Sequence, residues 1–180
     1  MSKTVYSIYD TSPKTEQIVA LLAQNNTPKL HLSGLVGSSI SFVIRSIFKK
    51  SELPFLLILN DKEEAAYYLN DLEQMIGDQD VLFYPASFRR PYQIEETDNA
   101  NVLLRAEVLN RINSRKKPAI IVSYPEALFE KVVTRKELDK NTLKVAVGDQ
   151  ISIDFINEVF FEYEFKRVDF ITEPGEFSVR

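Results

Sequence analysis

The fold of this protein is predicted from one stretch, KLHLSGLVGSSIS, which runs from Lys29 to Ser41. A short apolar segment leads into a turn rich in glycine and serine, and the turn opens a helix with apolar periodicity. We predict a strand before the turn, because a phosphate-binding loop has this order, with backbone N–H groups around an anion and a helix N-terminus behind it. The stretch therefore predicts the scaffold of a nucleotide site.

The chemistry of that site is degenerate. Against the pattern G-x-x-x-x-G-K-[ST], Gly34 and Ser41 fit, but Ser39 replaces the second glycine and Ile40 replaces the lysine. Ile40 heads an apolar helical stripe, so we expect it in the core, where it cannot replace the lysine charge. A tight turn without a ligand and residual anion binding both stay open. The degenerate loop comprises Gly34, Gly37, Ser38, Ser39, Ile40 and Ser41.

Composition excludes several classes of function. The chain has 180 residues and a net charge of −4, so no overall attraction to nucleic acid is expected. Cysteine is absent and His31 is the single histidine, which excludes thiol catalysis and cysteine-based metal sites and argues against histidine-based ones. No signal peptide or apolar run of roughly 18 residues is present. We expect a cytoplasmic protein without membrane association, metal, cofactor or catalytic residue.

Strands and helices alternate through the first part of the chain. The strands predicted after the loop are Pro54–Asn60, Val81–Tyr84 and Pro118–Ser123. The predicted helices are Thr15–Gln24, Ile40–Lys50, Lys62–Ile76, one that starts at Asp98 and one near Pro125. This alternation is typical of right-handed βαβ units. Residues 1–132 are therefore predicted to form a Rossmann-like α/β domain of the P-loop type, with a parallel sheet and helices on both faces.

The same patterns predict which faces are buried. The continuous apolar run Pro54–Asn60 is typical of a strand buried on both faces of a parallel sheet. Asp61 and Glu64 form a capping-box pattern, and Gly77 stops that helix. Four apolar residues are expected on its inner face: Ala65, Leu69, Leu72 and Ile76. The helix after Asp98 is expected to bury Val102, Leu103, Ala106, Leu109 and Ile112.

Residues 133–180 have a different pattern, predicted to be the start of a small α+β domain. The predicted parts are a linker at Thr134–Asn141, a strand at Leu143–Val147, a helix from Ser152 to about Tyr163, and a hairpin made of Phe165–Ile171 and Phe177–Arg180. The turn of that hairpin is Glu173–Glu176. Four helix residues are expected inside: Ile153, Ile156, Val159 and Phe160. The last residues have strand character without a stop signal, so we expect a truncated domain from a longer parent.

Several side chains keep two interpretations. His31 is either a structural histidine or a catalyst, and structure is favoured between two leucines. Tyr67 and Tyr68 either pack on a helix or stack on bases. Arg89 and Arg90 either contact a phosphate backbone or lie in a solvated loop. None of these patterns alone predicts an activity.

Basic residues on the predicted hairpin are a stronger candidate. Lys166 and Arg167 lie on one strand and Arg180 ends the other, alternating with apolar residues. The planar guanidinium of arginine suits carboxylates, so this face fits an acidic partner surface. The alternative is an ordinary solvated strand face.

The order of several short motifs resembles the N-terminal region of bacterial transcription-repair coupling factors, which is itself similar to the excision-repair helicase UvrB. The motifs are Gly34–Ser39 before an apolar helix, Pro54–Leu59 with Glu63–Ala65, Asp80–Pro85, Arg167–Asp169, Gly175–Phe177 and Arg180. The UvrB loop is a complete P-loop, whereas this one is degenerate. Ser87–Thr97 is too short for the aromatic hairpin with which UvrB grips DNA.

The resemblance implies a non-catalytic docking module in transcription-coupled nucleotide excision repair. Its implied partner is UvrA, and the implied UvrA-binding residues are Arg167 and Arg180, with Lys166 beside them. The longer parent is expected to be an ATP-dependent DNA translocase that engages RNA polymerase and DNA through other domains. Two alternatives remain: a nucleotide-binding fragment of an ATPase or helicase with an unorthodox P-loop, and a purely structural domain.

Overall fold

A computed structural model describes residues 5–24, 28–88, 98–114 and 117–179. The helices in this part of the chain are α1 (Val5–Asp10), α2 (Pro13–Leu22), α3 (Ser39–Ser51), α4 (Lys62–Ile76), α5 (Asn99–Ser114), α6 (Pro125–Phe129), α7 (Arg135–Lys140) and α8 (Ile153–Glu162). The strands are β1 (Phe55–Ile58), β2 (Val81–Tyr84), β3 (Ile120–Ser123), β4 (Lys166–Arg167) and β5 (Glu176–Phe177). Among the described helices, none combines the length and apolar character that a membrane crossing requires.

Strands β1, β2 and β3 form a parallel sheet flanked by helices. Strand β3 is central and pairs with both neighbours, in the order β1-β3-β2. Ile120 and Val122 on β3 are completely buried, as is Leu72 on α4, and these side chains form the centre of the core. We call this sheet with helices α1 to α6 the α/β layer. The α/β prediction is confirmed, while the boundary between residues 132 and 133 stays a prediction.

Helix α4 begins and ends as the sequence predicts. The Asp61 carboxylate accepts a hydrogen bond from the backbone N–H of Glu64 at 2.8 Å. The Glu64 carboxylate reaches back to the backbone N–H of Asn60 at 2.9 Å, one residue before the expected partner. Gly77 follows the last turn, and its N–H donates to the carbonyl of Glu73. Local capping bonds thus define this helix at both ends.

Three predictions about the α/β layer are wrong. Residues 28–33 form no strand and are mostly exposed. Strand β1 is buried on one face only: Leu56 is 53% and Ile58 57% accessible, whereas Phe55 and Leu57 pack against the core. Helix α5 buries Arg105 and Val108. Three of its residues that were expected inside are exposed, namely Val102, Leu103 and Ile112.

The second part of the chain also departs from prediction. The expected linker contains helix α7, because Thr134 and Glu137 form a reciprocal capping box. No strand forms at Leu143–Val147. Helix α8 begins after Ser152 as predicted but has no buried residue. Strands β4 and β5 pair in parallel instead of as a hairpin, with Lys166 beside Glu176 and Arg167 beside Phe177.

Candidate functional site: the glycine-serine loop and the basic C-terminal unit

The glycine-serine loop, residues 34–41, follows residues 28–33 and includes the first residues of helix α3. Gly34 and Gly37 have φ angles of +79° and +53°, a conformation that favours glycine. Helix α3 starts directly after Ser38, whose side chain does not cap it. The predicted strand is therefore absent, but the predicted turn and the helix behind it are present.

Three backbone N–H groups of the loop, those of Val36, Ser39 and Ile40, bond to the loop itself. The N–H of Val36 donates to Ser39 Oγ at 2.7 Å, and that hydroxyl donates back to the carbonyl of Val36 at 2.7 Å. The N–H of Ser39 donates to the Val36 carbonyl at 3.2 Å, and the N–H of Ile40 to the Gly37 carbonyl at 3.4 Å. A phosphate cradle needs such donors to point at an anion. In this loop they close the turn instead.

Two loop hydroxyls bond to helix α4. Ser38 Oγ lies 2.8 Å from the hydroxyl of Tyr67. Ser41 is completely buried, and its Oγ donates to the Asp71 carboxylate at 3.2 Å. A serine at this position of a working loop binds Mg²⁺ through the same oxygen. The Ser41 hydroxyl thus serves packing of α3 on α4, and Ile40 beside it is half-buried.

The carboxyl ends of the parallel strands, where α/β proteins usually bind ligands, are filled by a polar network around Arg105. Its guanidinium donates to the carbonyls of Pro85 at 2.7 Å and Ala127 at 3.1 Å. It also lies 3.3 Å from the Glu130 carboxylate and 4.2 Å from the ring centre of Tyr84. This side chain was missed from sequence, because apolar periodicity carries no signal for a buried arginine.

Two tyrosines complete this network. Burial raises the pKa of Tyr84, against the opposing charge of Arg105. Burial also raises the pKa of Tyr124, whose hydroxyl accepts a hydrogen bond from the backbone N–H of Ala86 at 2.9 Å. Both phenols are therefore neutral and serve packing. Within the described residues, no group of three or more His, Asp or Glu side chains is placed to hold a metal ion.

The C-terminal unit, residues 153–179, has a small aromatic core. Phe177 on β5 is 5% exposed, and its ring centre lies 5.0 Å from that of Phe160 and 5.4 Å from that of Phe161. Phe165 stacks on Phe160 at 5.1 Å. These contacts pack α8 onto the strand pair. A few aromatic contacts therefore hold the unit together.

The strand pair presents two basic side chains to solvent. Lys166 and Arg167 on β4 are both exposed. The backbone N–H of Lys166 donates to the carbonyl of Gly175 at 2.8 Å, which fixes β4 beside β5. Within the described residues, neither side chain makes an ion pair shorter than 4 Å. This basic pair is available for a partner.

Comparison with known proteins gives the chain its relatives. No family model matches it. It is 27% identical over 150 residues to the transcription-repair-coupling factor of Bacillus subtilis, covering 83% of this chain and 13% of that protein. It is 25% identical over 140 residues to the coupling factor of Rickettsia bellii, covering 77% of this chain and 12% of that protein. It is 24% identical over 163 residues to UvrABC system protein B of Ureaplasma parvum, covering 83% of this chain and 24% of that protein.

The chain is a distant homologue of the coupling factors and of UvrB. The similarity lies in the N-terminal region of these proteins, which confirms the resemblance seen in the motifs. The chain spans about an eighth of the length of the coupling factors that it matches. The relation implies a context of nucleotide excision repair.

The site residues predicted in this chain fall into three groups. The loop residues Gly34–Ser41 lie together, as expected, at the start of α3. Lys166 and Arg167 lie together on β4. Arg180, Arg89 and Arg90 lie outside the described residues. The placement of Arg180 beside Arg167 therefore stays a prediction.

Two undecided side chains can now be located. Tyr67 bonds to Ser38, and its ring packs edge-on against Tyr68 with centres 5.4 Å apart, which favours the packing interpretation. His31 is exposed, and the choice between a structural histidine and a catalyst stays a prediction. It lines a cleft of about 300 Å³ together with Tyr9 and Lys14.

Proposed function

We propose that this chain is a non-catalytic module of a transcription-repair coupling factor that acts in transcription-coupled nucleotide excision repair by recruiting UvrA. The observation that carries the proposal is a contrast. Several hydrogen-bonding groups of the glycine-serine loop have partners within the protein, whereas the basic pair Lys166–Arg167 is exposed. In the parent, other domains supply the ATP-dependent translocase and the contacts with RNA polymerase and DNA, and the protein works in the cytoplasm.

The absence of catalysis follows from the atoms that a nucleotide would need. Triphosphate binding requires a mobile cation, and Ile40 supplies none. It also requires free N–H donors and a hydroxyl for Mg²⁺. In this loop, the N–H groups of Val36 and Ser39 and the hydroxyl of Ser41 already have protein partners. Rebuilding the site would break several hydrogen bonds at once.

The docking role rests on the chemistry of the basic pair. Lys166 and Arg167 are two adjacent exposed cations in a chain whose net charge is −4. Such exposed cations attract an acidic partner group and help to select its orientation. Arg167 is the stronger candidate because its guanidinium binds a carboxylate in a bidentate manner.

The test is the affinity of the purified chain for UvrA of the same organism, measured by biolayer interferometry. Arg167→Glu should weaken binding by about tenfold or more, because it places a carboxylate against an acidic surface. Lys136→Glu on helix α7 is the matched control, since it makes the same change of charge at another exposed position. Equal affinities for the two variants would refute the assignment of Arg167, and no binding by the unaltered chain would refute UvrA recruitment.

Calorimetry with ATP and Mg²⁺ tests the alternative that the chain is a nucleotide-binding fragment. We expect no heat of binding at micromolar nucleotide. Micromolar binding that is lost in Ser38→Ala or Ser41→Ala would instead establish the glycine-serine loop as an unorthodox nucleotide site.

A further inference from the structure

Next to the basic pair, two large apolar side chains are presented to solvent. Phe170 is 76% exposed and Ile171 is 60% exposed. Single exposed apolar residues are common, whereas contiguous exposed apolar side chains rimmed by polar residues are typical of interaction surfaces. With Asp169 and Ser178 they line an open cleft of about 480 Å³.

The loop that carries these side chains is held at both ends. On one side, the N–H of Val168 donates to the carbonyl of Phe177 at 2.9 Å, and Ser178 Oγ donates to the carbonyl of Asp169 at 3.2 Å. On the other side, the Glu176 carboxylate accepts hydrogen bonds from Thr172 and Glu173. A loop fixed in this way loses little conformational entropy when a partner binds.

Glu176 closes the second end of the loop. Its carboxylate accepts from the N–H of Thr172 at 2.8 Å, from the hydroxyl of Thr172 at 3.1 Å and from the N–H of Glu173 at 3.1 Å. The backbone bonds from Thr172 and Glu173 lower the pKa of Glu176. The carboxylate is therefore charged at neutral pH and keeps the turn closed.

We infer that Phe170 and Ile171 are the apolar anchor of the docking surface whose basic rim is Lys166–Arg167, and that the occupant is an acidic protein surface with an apolar pocket. The inference rests on the proposed function and names the part of the surface that holds the partner. Affinity at protein interfaces is concentrated in a few buried apolar or aromatic side chains, with charged residues around them. Phe170, three residues after Arg167, has the chemistry and the position for that role.

The two parts of such a surface have different kinetic effects. Charges at a rim act mainly on the association rate and on its dependence on salt. An apolar anchor that fills a pocket acts mainly on the dissociation rate. The kinetics of two variants can therefore separate the anchor from the rim.

The experiment is UvrA binding by biolayer interferometry with Phe170→Ser, Ile171→Ser and Arg167→Glu, at two salt concentrations. We expect Phe170→Ser to weaken binding by about tenfold or more, through faster dissociation that salt does not change. Ile171→Ser should act in the same direction with a smaller effect. Arg167→Glu should instead slow association and reduce its salt dependence. The circular dichroism spectra and melting temperatures of the Phe170→Ser and Ile171→Ser variants should match those of the unaltered chain, because both apolar side chains are exposed.

Phe129→Ser is the matched control, since Phe129 is 89% exposed at the end of α6. It should leave the affinity within about twofold. If Phe170→Ser and Ile171→Ser dissociate at the rate of the unaltered chain while Arg167→Glu still binds more weakly, this inference is overturned and UvrA recruitment stands. If the unaltered chain does not bind UvrA, both the inference and the proposed function are overturned. Sedimentation with phosphatidylglycerol vesicles that is lost in Phe170→Ser would also overturn the inference, because the anchor would then serve a lipid surface.

Discussion

Arg105 and Arg167 show how differently the α/β layer and the C-terminal unit use the same side chain. Arg105 is 6% exposed, and its guanidinium has an ion pair, two carbonyl partners and an aromatic ring. Arg167 is exposed and, within the described residues, has no ion pair. Arg105 provides hydrogen-bond donors to buried carbonyls and a positive charge beside the Glu130 carboxylate. Arg167 has its hydrogen-bonding capacity left for a partner.

Apolar residues show the same contrast. In the α/β layer, Ala65 and Leu72 on α4 are completely buried. In the C-terminal unit, helix α8 has no buried residue, and Phe161 is 57% exposed although it contacts Phe177. The apolar pattern of α4 therefore forms part of a core, whereas that of α8 leaves apolar side chains accessible to a partner.

The largest expected effect tests this contrast with the two arginines. Arg105→Ala should lower the free energy of unfolding by about 3–5 kcal/mol, because it leaves two carbonyls without their donor and removes the positive charge beside the Glu130 carboxylate, which keeps only its hydrogen bonds from Ser87. Arg167→Ala should change it by no more than about 0.5 kcal/mol, as expected of an exposed side chain. Urea denaturation measures both values. Similar losses for the two variants would mean that the two regions do not differ in this way.

The elements that could be predicted from the sequence are those that local signals specify, and the others depend on contacts between distant residues. Strands β2 and β3 and helices α3, α4 and α6 follow from local signals, which are apolar runs, caps and helical periodicity. The inner face of helix α5 was predicted only in part: Leu109 packs against the core, but Val102, Leu103 and Ile112 are exposed. A buried position of this helix is taken by Arg105, whose partners Pro85 and Ala127 lie about twenty residues away. A count of apolar residues cannot detect a buried cation that is satisfied by distant carbonyls.

Pairing of short strands was also beyond the local signals. The turn at Pro174–Gly175 is present, but its flanks pair in parallel, and Phe177 of β5 packs against Phe160 of α8, a contact that no local signal predicts. In the glycine-serine loop, the altered chemistry could be read from Ser39 and Ile40. Its contacts with Tyr67 and Asp71 could not, because α4 lies about thirty residues further along the chain.

A second prediction compares two carboxylates by pH. Burial acts to raise the pKa of Asp10, but hydrogen bonds from Ser46 and Arg45 and the charges of Arg45 and Lys49 outweigh it and lower the pKa below its ordinary 3.8. A lowered folded-state pKa gives stability that is present above the unfolded-state value and is lost as pH falls through the folded-state value. Asp10→Asn should therefore cost about 1 kcal/mol at neutral pH, a loss limited by solvent screening.

Urea denaturation of the unaltered chain and of Asp10→Asn, from neutral to acidic pH, measures this loss of unfolding free energy. The difference between the two proteins should be constant at neutral pH and shrink only in acid. Glu176→Gln is the comparison from the C-terminal unit, and its effect should be smaller because the Glu176 carboxylate accepts hydrogen bonds only from Thr172 and Glu173 of its own turn, whereas Asp10 also has the guanidinium of Arg45. A difference for Asp10→Asn that grows as the solution is acidified would contradict the sign of the argument.

The smallest expected effect concerns the contact between the two regions. Gly175 has a φ angle of +94°, and a Cβ at this position would lie 3.2 Å from Asn99 Nδ2. Asn99, at the start of α5, donates to the carbonyl of Pro174 at 3.1 Å. Gly148 has a φ angle of +102°, and nothing lies within 4 Å of its Cβ position. Both alanine variants carry the backbone strain, about 1 kcal/mol each, but only Gly175→Ala also disturbs Asn99.

Gly175→Ala should therefore lower the free energy of unfolding by about 0.5 kcal/mol more than Gly148→Ala. In the Asn99→Ala background this excess should disappear, because the side chain that a Cβ would crowd is gone. An excess that survives in that background would mean that Gly175 is required for its backbone conformation alone. An excess that disappears would show that the side chain of Asn99 couples the α/β layer to the unit that carries the basic pair.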